Sequence, residues 1–308
     1  MELFIPSYLK EIVKRHWDKI DNLSLKIEKF SPFVKDRDGT KKPRIDKFNS
    51  KIKLLKVDQY EMFFELQRDL WESVGKMFTM RTKSRLIIGL GNESIYETSI
   101  RLHRNYGVPY IPGSALKGVA KHYTILNLAE RLMDYSEDFF KLAKRAQEAL
   151  ENPAKDESND VEVKKAIEDK LKLDLSDDLL NEMIVLRRIF GTQRYEGEVI
   201  FFDAFPTPES LKLNHVLELD IMNPHYQPYY TASEKELRGK SEKAPGDWHQ
   251  PTPVFFLTVP RGIRFQFAIA PRNNKDAKLL DKTKSILISA LKELGIGAKT
   301  SLGYGRFE

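Results

Sequence analysis

Cysteine is absent from all 308 residues. That excludes disulfides, thiolate zinc sites and cysteine nucleophiles, and it fits a cytoplasmic protein. No stretch approaches the roughly 20 consecutive apolar residues of a membrane span. The opening MELFIPSYLKEIVKRHW is interrupted at once by Glu2, so it is not read as a secretory signal. The six histidines form no H-x-x-x-H pair, and no carboxylates cluster in a ligand pattern, so neither a metal nor a cofactor is expected. No internal repeat is present. Charge carried mostly by lysine and glutamate fits a thermophile.

Acids are missing from three particular stretches, and this says more than the net charge of +6. Thr98–Tyr123 has none, but holds Arg101, His103, Arg104, Lys117, Lys121 and His122. Arg187–Tyr195 has Arg187, Arg188 and Arg194, and Gly295–Phe307 has Lys299 and Arg306. Each run coincides with a glycine-containing turn. Such placement suits a polyanionic partner better than a generic solvated face.

The periodicity places helices over 7–20 (Leu9, Ile12, Val13, Trp17, Ile20) and after an Asp58–Glu61 capping box, where Phe63, Leu66, Leu70, Val74 and Met77 form the buried stripe. Residues 31–50 read as a loop. SRLIIGL (84–90) reads as a strand, followed by a Pro112-Gly113 turn, an N-cap at Ser114 and a helix burying Leu116, Val119, Ala120 and Tyr123. About 130–185 is a charged helical insertion with a break near Asn152-Pro153. Strands follow at 196–205 and 215–221, then a long excursion over about 222–252, then VFFLTV and RFQFAIA as a hairpin turned at Pro260-Arg261-Gly262. Asp276–Leu294 is an amphipathic helix capped by Gly295. The expected fold is α+β, with a ferredoxin-like (RRM-like) β-α-β-β-α-β core over 81–308 and a helical N-terminal extension over 1–80 packed on it.

The terminal GIGAKTSLGYGRFE contains Gly-Ala-Lys-Thr-Ser, but a phosphate-binding P-loop needs glycine, lysine and Ser/Thr adjacent and a helix after them. Here Ala298 intervenes and the run follows a helix, which excludes an NTPase. A helix cap and a tight turn account for Gly295 and Gly297. Gly303 and Gly305, flanking Tyr304, read instead as backbone left open for an anion.

The spacing G-x-G-x5-G-x-G at Gly295, Gly297, Gly303 and Gly305 resembles the C-terminal glycine-rich loop of the RAMP superfamily of CRISPR RNA-binding proteins. GVPYIPGSALKG (107–118) and IFGTQRYEGEVIFFDAFP (189–206) resemble two further motifs of that superfamily. LGNESIYETSIRLHRNYG resembles one subgroup, the sixth subunits of type III-B (Cmr) effector complexes. The resemblance runs from about Arg85 to Phe307, with a gap over the insertion. It implies a non-catalytic subunit that binds guide RNA, caps its 3′-proximal end and helps target foreign RNA. Its partners would be guide RNA, target RNA, a backbone RAMP subunit, a small helical subunit and a neighbouring RAMP subunit. The implied RNA contacts are Arg101, His103, Arg104, Gly113, Ser114, Lys117, Lys121, Arg194, Gly297, Lys299, Thr300, Ser301, Gly303, Tyr304 and Arg306. The 222–252 excursion is similar to the family's thumb, with Tyr226 and Tyr229, beside His225, Tyr230 and Trp248, suited to stacking on bases. Asp203 reads as an intramolecular hydrogen-bond acceptor.

Two other readings stay open. Some RAMP relatives are metal-independent ribonucleases, so His103 or His122 would act as general acid or base in a repeat-processing enzyme. Alternatively, the helical segments make the chain a protein-only adaptor.

Overall fold

Local rules set most of the helices, and long-range pairing sets the sheets. The computed structural model describes residues 2–3, 5–35, 41–43, 45, 51–53, 57–133, 138–213, 215–237, 241–273 and 276–308. In chain order these form β1 (Glu2–Leu3), α1 (Ser7–His16), β2 (Pro32–Lys35), β3 (Lys41–Pro43), β4 (Lys51–Ile52), α2 (Asp58–Val74) and β5 (Lys76–Arg81). Then come α3 (Gly113–Leu132), α4 (Phe139–Glu151), α5 (Asp160–Leu171), α6 (Asp177–Phe190), β6 (Val199–Phe201), β7 (Phe205–Pro206) and α7 (Pro208–Leu213). The rest is β8 (Leu217–Met222), α8 (Gln227–Tyr230), α9 (Glu234–Leu237), β9 (Val254–Thr258), β10 (Arg264–Pro271) and α10 (Ala277–Glu293). This mixture of helix and sheet is α+β, as expected. No helix among the described residues is long and apolar enough to cross a membrane.

The chain divides into two compact units. One comprises 1–56, 87–109 and 211–260; the other comprises 57–86, 110–210 and 261–308. The first holds two antiparallel three-stranded sheets, β1-β2-β3 and β4-β8-β9. The second is built on β5-β10-β6, also antiparallel, with β7 on β10. Its central strand β10 buries Phe265, Phe267 and Ile269 completely. Phe267 stacks on Phe78 at 5.2 Å and meets Phe307, whose N–H donates to the Leu291 carbonyl of α10. Glu308 exchanges both backbone hydrogen bonds with Arg81 at 2.9 Å, so the terminal residues run along the free edge of β5.

The α10 reading holds almost residue for residue. Asp276 caps it through the Leu279 N–H, and Leu279, Leu280, Thr283, Ile286, Leu287, Ala290 and Leu291 are buried. The insertion is three capped helices, α4 to α6, with Asp138, Asn159 and Ser176 as N-caps and the break at Asn152; its residues 134–137 lie outside the described ones.

Several expectations are corrected. VFFLTV and RFQFAIA do not form a hairpin: β9 pairs with β8 and β10 with β5. The first strand of the β10 sheet is β5, not 84–90, where Leu86 and Ile87 are buried without a continuous strand. The helix before it ends at Val74, so Met77 belongs to β5. Asp58 is the first helical residue rather than a cap; Val57 holds the cap position with no side-chain bond. The buried face of α2 is Tyr60, Phe64 and Trp71, while Leu66, Leu70 and Val74 are exposed. The loop read over 31–50 falls largely outside the described residues, and the part described contributes β2 and β3.

Candidate nucleic-acid interface

The residues expected to meet RNA divide between the two units. In the second unit they lie on the glycine-rich segment, on the first turns of α3 and on the turn after α6.

The glycine-rich segment is a backbone crossing followed by an exposed loop. Ile296 N–H donates to the Gly305 carbonyl at 2.9 Å, and Gly305 N–H donates to the Arg85 carbonyl at 2.8 Å. A Cβ on Gly305 would stand 1.9 Å from the Ile296 carbonyl oxygen, and one on Gly295 would stand 2.9 Å from the Gly305 carbonyl oxygen. Packing therefore demands both glycines, and Gly305 needs no anion to explain it. Between them Gly297, Ser301, Leu302 and Gly303 are exposed, and Lys299, Thr300 and Tyr304 are half-buried, as is Arg306 just beyond. A 3₁₀ turn over Thr300–Leu302 is flanked by left-handed Lys299 and Gly303. Nothing lies within 4 Å of where a Gly303 Cβ would be, so an incoming backbone meets no obstruction there.

Gly113 opens α3, but its N–H is committed. Asp203 Oδ1 accepts it at 2.7 Å, and a Cβ there would stand 2.0 Å from the Phe201 carbonyl oxygen. Asp203 is thus the acceptor the sequence suggested, and it caps α3 from another segment. Its carboxylate occupies the positive end of the helix, where phosphate was expected. Pro112, not Ser114, sits at the N-cap position, and Ser114 is exposed in the first turn.

One turn apart on α3, Lys117 and Lys121 join Arg272, a residue the sequence reading missed. Burial, then the charges of Lys121 and Arg272, lower the Lys117 pKa, with Glu196 partly opposing. Lys121 pairs with Glu151 at 2.8 Å, and Arg272 with Glu196 at 3.0 Å. A lysine lowered in this way destabilises the fold while it is charged. The cost is present at neutral pH, begins to fall as pH rises past the lowered pKa and is gone above the ordinary lysine value. A phosphate beside the three cations would reverse it. Lys117→Met is therefore expected to hold or raise the melting temperature at pH 7 while weakening RNA binding several-fold. A fall in melting temperature with unchanged RNA affinity would refute this.

The acid-free run Arg187–Tyr195 is not free of acids in space. Arg187 is buried against Glu157 and the Ala149 carbonyl. Arg188 is gripped by Glu198 at 2.8 and 2.9 Å and by Asp276 at 3.2 Å. Only Arg194 of this run's arginines is exposed, at the tip of the turn.

In the first unit Arg101, His103 and Arg104 share a loop. Asn22 Nδ2 donates to the Arg104 and Asn105 carbonyls, both at 2.8 Å, and Asn22 Oδ1 accepts the Leu25 N–H. That fixes the loop against a π-turn over Leu25–Lys29. His103 stacks on Tyr106 at 5.0 Å. The 222–252 excursion carries α8 and α9, and its base is joined by Thr252 N–H to the Pro224 carbonyl at 3.1 Å. Tyr229, Tyr230 and Trp248 are exposed on it and Tyr226 is half-buried; residues 238–240 lie outside the described ones. Lys243 and Ser233 hold the Glu236 carboxyl at a pKa of about 2. Among the described residues no group of three His, Asp or Glu side chains is placed to hold a metal ion.

A family model described as the RAMP superfamily matches residues 79–308. The chain is 45% identical over 259 residues to the CRISPR system Cmr subunit Cmr6 of Pyrococcus furiosus, spanning 80% of this chain and 73% of that one. It is 22% identical over 282 residues to the CRISPR system CMR subunit Cmr6 of Saccharolobus solfataricus, spanning 89% and 73%. The crystal structure of the Pyrococcus furiosus Cmr6 superposes with a TM-score of 0.49 at 44% identity, covering 76% of this chain and 96% of that one. With the glycine-rich crossing and the Asp203-capped α3 inside the matched region, the chain belongs to the RAMP superfamily and is similar there to the Cmr6 subunits.

Proposed function

We propose that this chain is a guide-RNA-binding and assembly subunit of a type III-B CRISPR effector ribonucleoprotein that targets foreign RNA. In this reading it performs no catalysis, caps the 3′-proximal end of the guide and joins it to neighbouring RAMP and small helical subunits. The observation that carries it is the 45% identity to a relative named as a Cmr subunit. The exposed, acid-free loop 297–304 supports it, offering Lys299, Thr300, Ser301 and an unobstructed Gly303 to a phosphate backbone. The order β5, α3, β6, β10, α10 and the edge residue Phe307 supports a ferredoxin-like core. The 222–252 excursion is read as a thumb whose exposed aromatics stack on bases.

Binding of guide RNA by the purified protein tests this reading. Affinity is expected to fall steeply with salt. Lys299→Ala with Arg306→Ala should weaken it by about tenfold or more and flatten the salt slope by up to about two. RNA binding and complex assembly both unchanged in the double variant would remove the loop from the interface. Repeat RNA should stay intact in the same tube. Clean cleavage that His103→Ala or His122→Ala abolishes would replace the scaffold with the endoribonuclease reading.

A further inference from the structure

The helix α2 has three distinct faces. Tyr60, Phe64 and Trp71 are buried in the second unit, where Trp71 and Phe63 pack on Phe205. Asp58, Glu61, Glu65, Asp69 and Glu72, at spacings of three and four, line a second face as an acidic stripe. Met62, Leu66, Leu70 and Val74, at a spacing of four, form the third, and they are 68%, 68%, 50% and 39% exposed. Scattered exposed leucines need no explanation, but a continuous row of four along one helix does.

We propose that this face docks a helix of a neighbouring protein subunit, one carrying an apolar stripe flanked by lysine and arginine. Charge selects that occupant. Five carboxylates beside the row repel RNA, and α2 itself offers only Arg68, which already lies 3.5 Å from Asp69. A second copy of the chain would bring the same carboxylates and the same single arginine, so α2-to-α2 pairing leaves the acids unanswered. Size points the same way. Four such side chains present a few hundred Å² at most, short of the roughly 800 Å² per partner of a stable binary interface. The contact therefore belongs within a larger assembly, and the inference rests on the assembly reading above. Rows of residues four apart are the ridges that interlock when two helices cross, and the flanking carboxylates fix which partner is admitted.

The chain has no cysteine, so Leu66→Cys supplies a single attachment point for a photo-crosslinker on the otherwise intact protein. In the reconstituted type III-B complex the crosslink is expected on a lysine- or arginine-flanked helix of another protein subunit. Attachment to RNA or to a second copy would overturn the proposal. Leu66→Ser with Leu70→Ser should cut incorporation into the complex at least tenfold by native mass spectrometry. RNA affinity of the isolated chain should stay within twofold and the urea midpoint should fall only slightly, because Leu66 and Leu70 are 68% and 50% exposed and serine is only a modestly poorer helix former than leucine. Glu65→Lys with Asp69→Lys should weaken incorporation at low salt and less so at high salt. Incorporation unchanged in both double variants refutes the docking face. Failure of the unsubstituted chain to bind RNA or enter the complex is a separate result. It refutes the functional reading and the docking face together.

Discussion

Gly305→Ala is expected to cost about 3–5 kcal/mol of stability, at the upper end for a single small substitution. The residue has a φ of +73°, where a side chain costs about 1–2 kcal/mol from backbone strain alone. Its Cβ would also overlap the Ile296 carbonyl oxygen at 1.9 Å, and the neighbour is backbone, so no rotamer relieves the clash. Retreat would break the Gly305-to-Arg85 and Ile296-to-Gly305 hydrogen bonds, at about 1 kcal/mol each. Gly303 is the control. Its φ is +92°, yet its Cβ position is open, so Gly303→Ala should cost only about 1–2 kcal/mol. Urea midpoints separate the two. RNA binding should separate them in the opposite sense: folded Gly303→Ala loses affinity beyond its small loss of stability. Equal destabilisation by both substitutions would show that the crossing is not what selects Gly305.

Glu157→Ala is the second large effect. It leaves the Arg187 guanidinium charged in the interior with only the Ala149 carbonyl for a partner. Breaking a buried pair from one side typically costs about 3–5 kcal/mol. The companion double variant, Arg187→Met with Glu157→Leu, removes both charges at once and is expected to recover most of that loss. A double variant as unstable as Glu157→Ala would mean that volume, not unpaired charge, governs the site. Neither variant touches the glycine-rich loop, so RNA affinity per folded molecule should not change.

The same arginine shows where the sequence stops being legible. Arg187–Tyr195 contains no acid, yet Arg187 and Arg188 are answered by Glu157, Glu198 and Asp276, brought in by folding from up to 88 residues away. Lys121 meets Glu151 in the same way. A charge pattern along the chain reports only on exposed charges, and burial is decided elsewhere. What is local was readable: the span and amphipathic character of α10, its C-terminal Gly295, which is left-handed, and the break at Asn152. Strand partners were not. Pro260-Arg261-Gly262 is a competent turn, but β9 and β10 find partners distant in the chain, and no pattern within a strand names its neighbour. The apolar stripe of α2 misled because periodicity marks a face that wants to be covered, without saying by what. Of the candidate interface, the glycine spacing, the half-buried Lys299 and the exposed Arg194 were visible beforehand. Arg272 was not, because its only mark is its proximity to Lys117.

The pairing of Glu308 with Arg81 also governs when the β5 sheet can close during synthesis. The two residues are 227 apart, and the chain leaves the second unit at Ile87 and again at Leu211 before returning. Nothing shorter than a chain that reaches Glu308 can close the β5 edge. A nascent chain therefore carries that edge open until residue 308 has been made, and an unpaired edge invites association with other chains. Contacts this distant also slow folding, because loop entropy is lost before the pairing compensates for it.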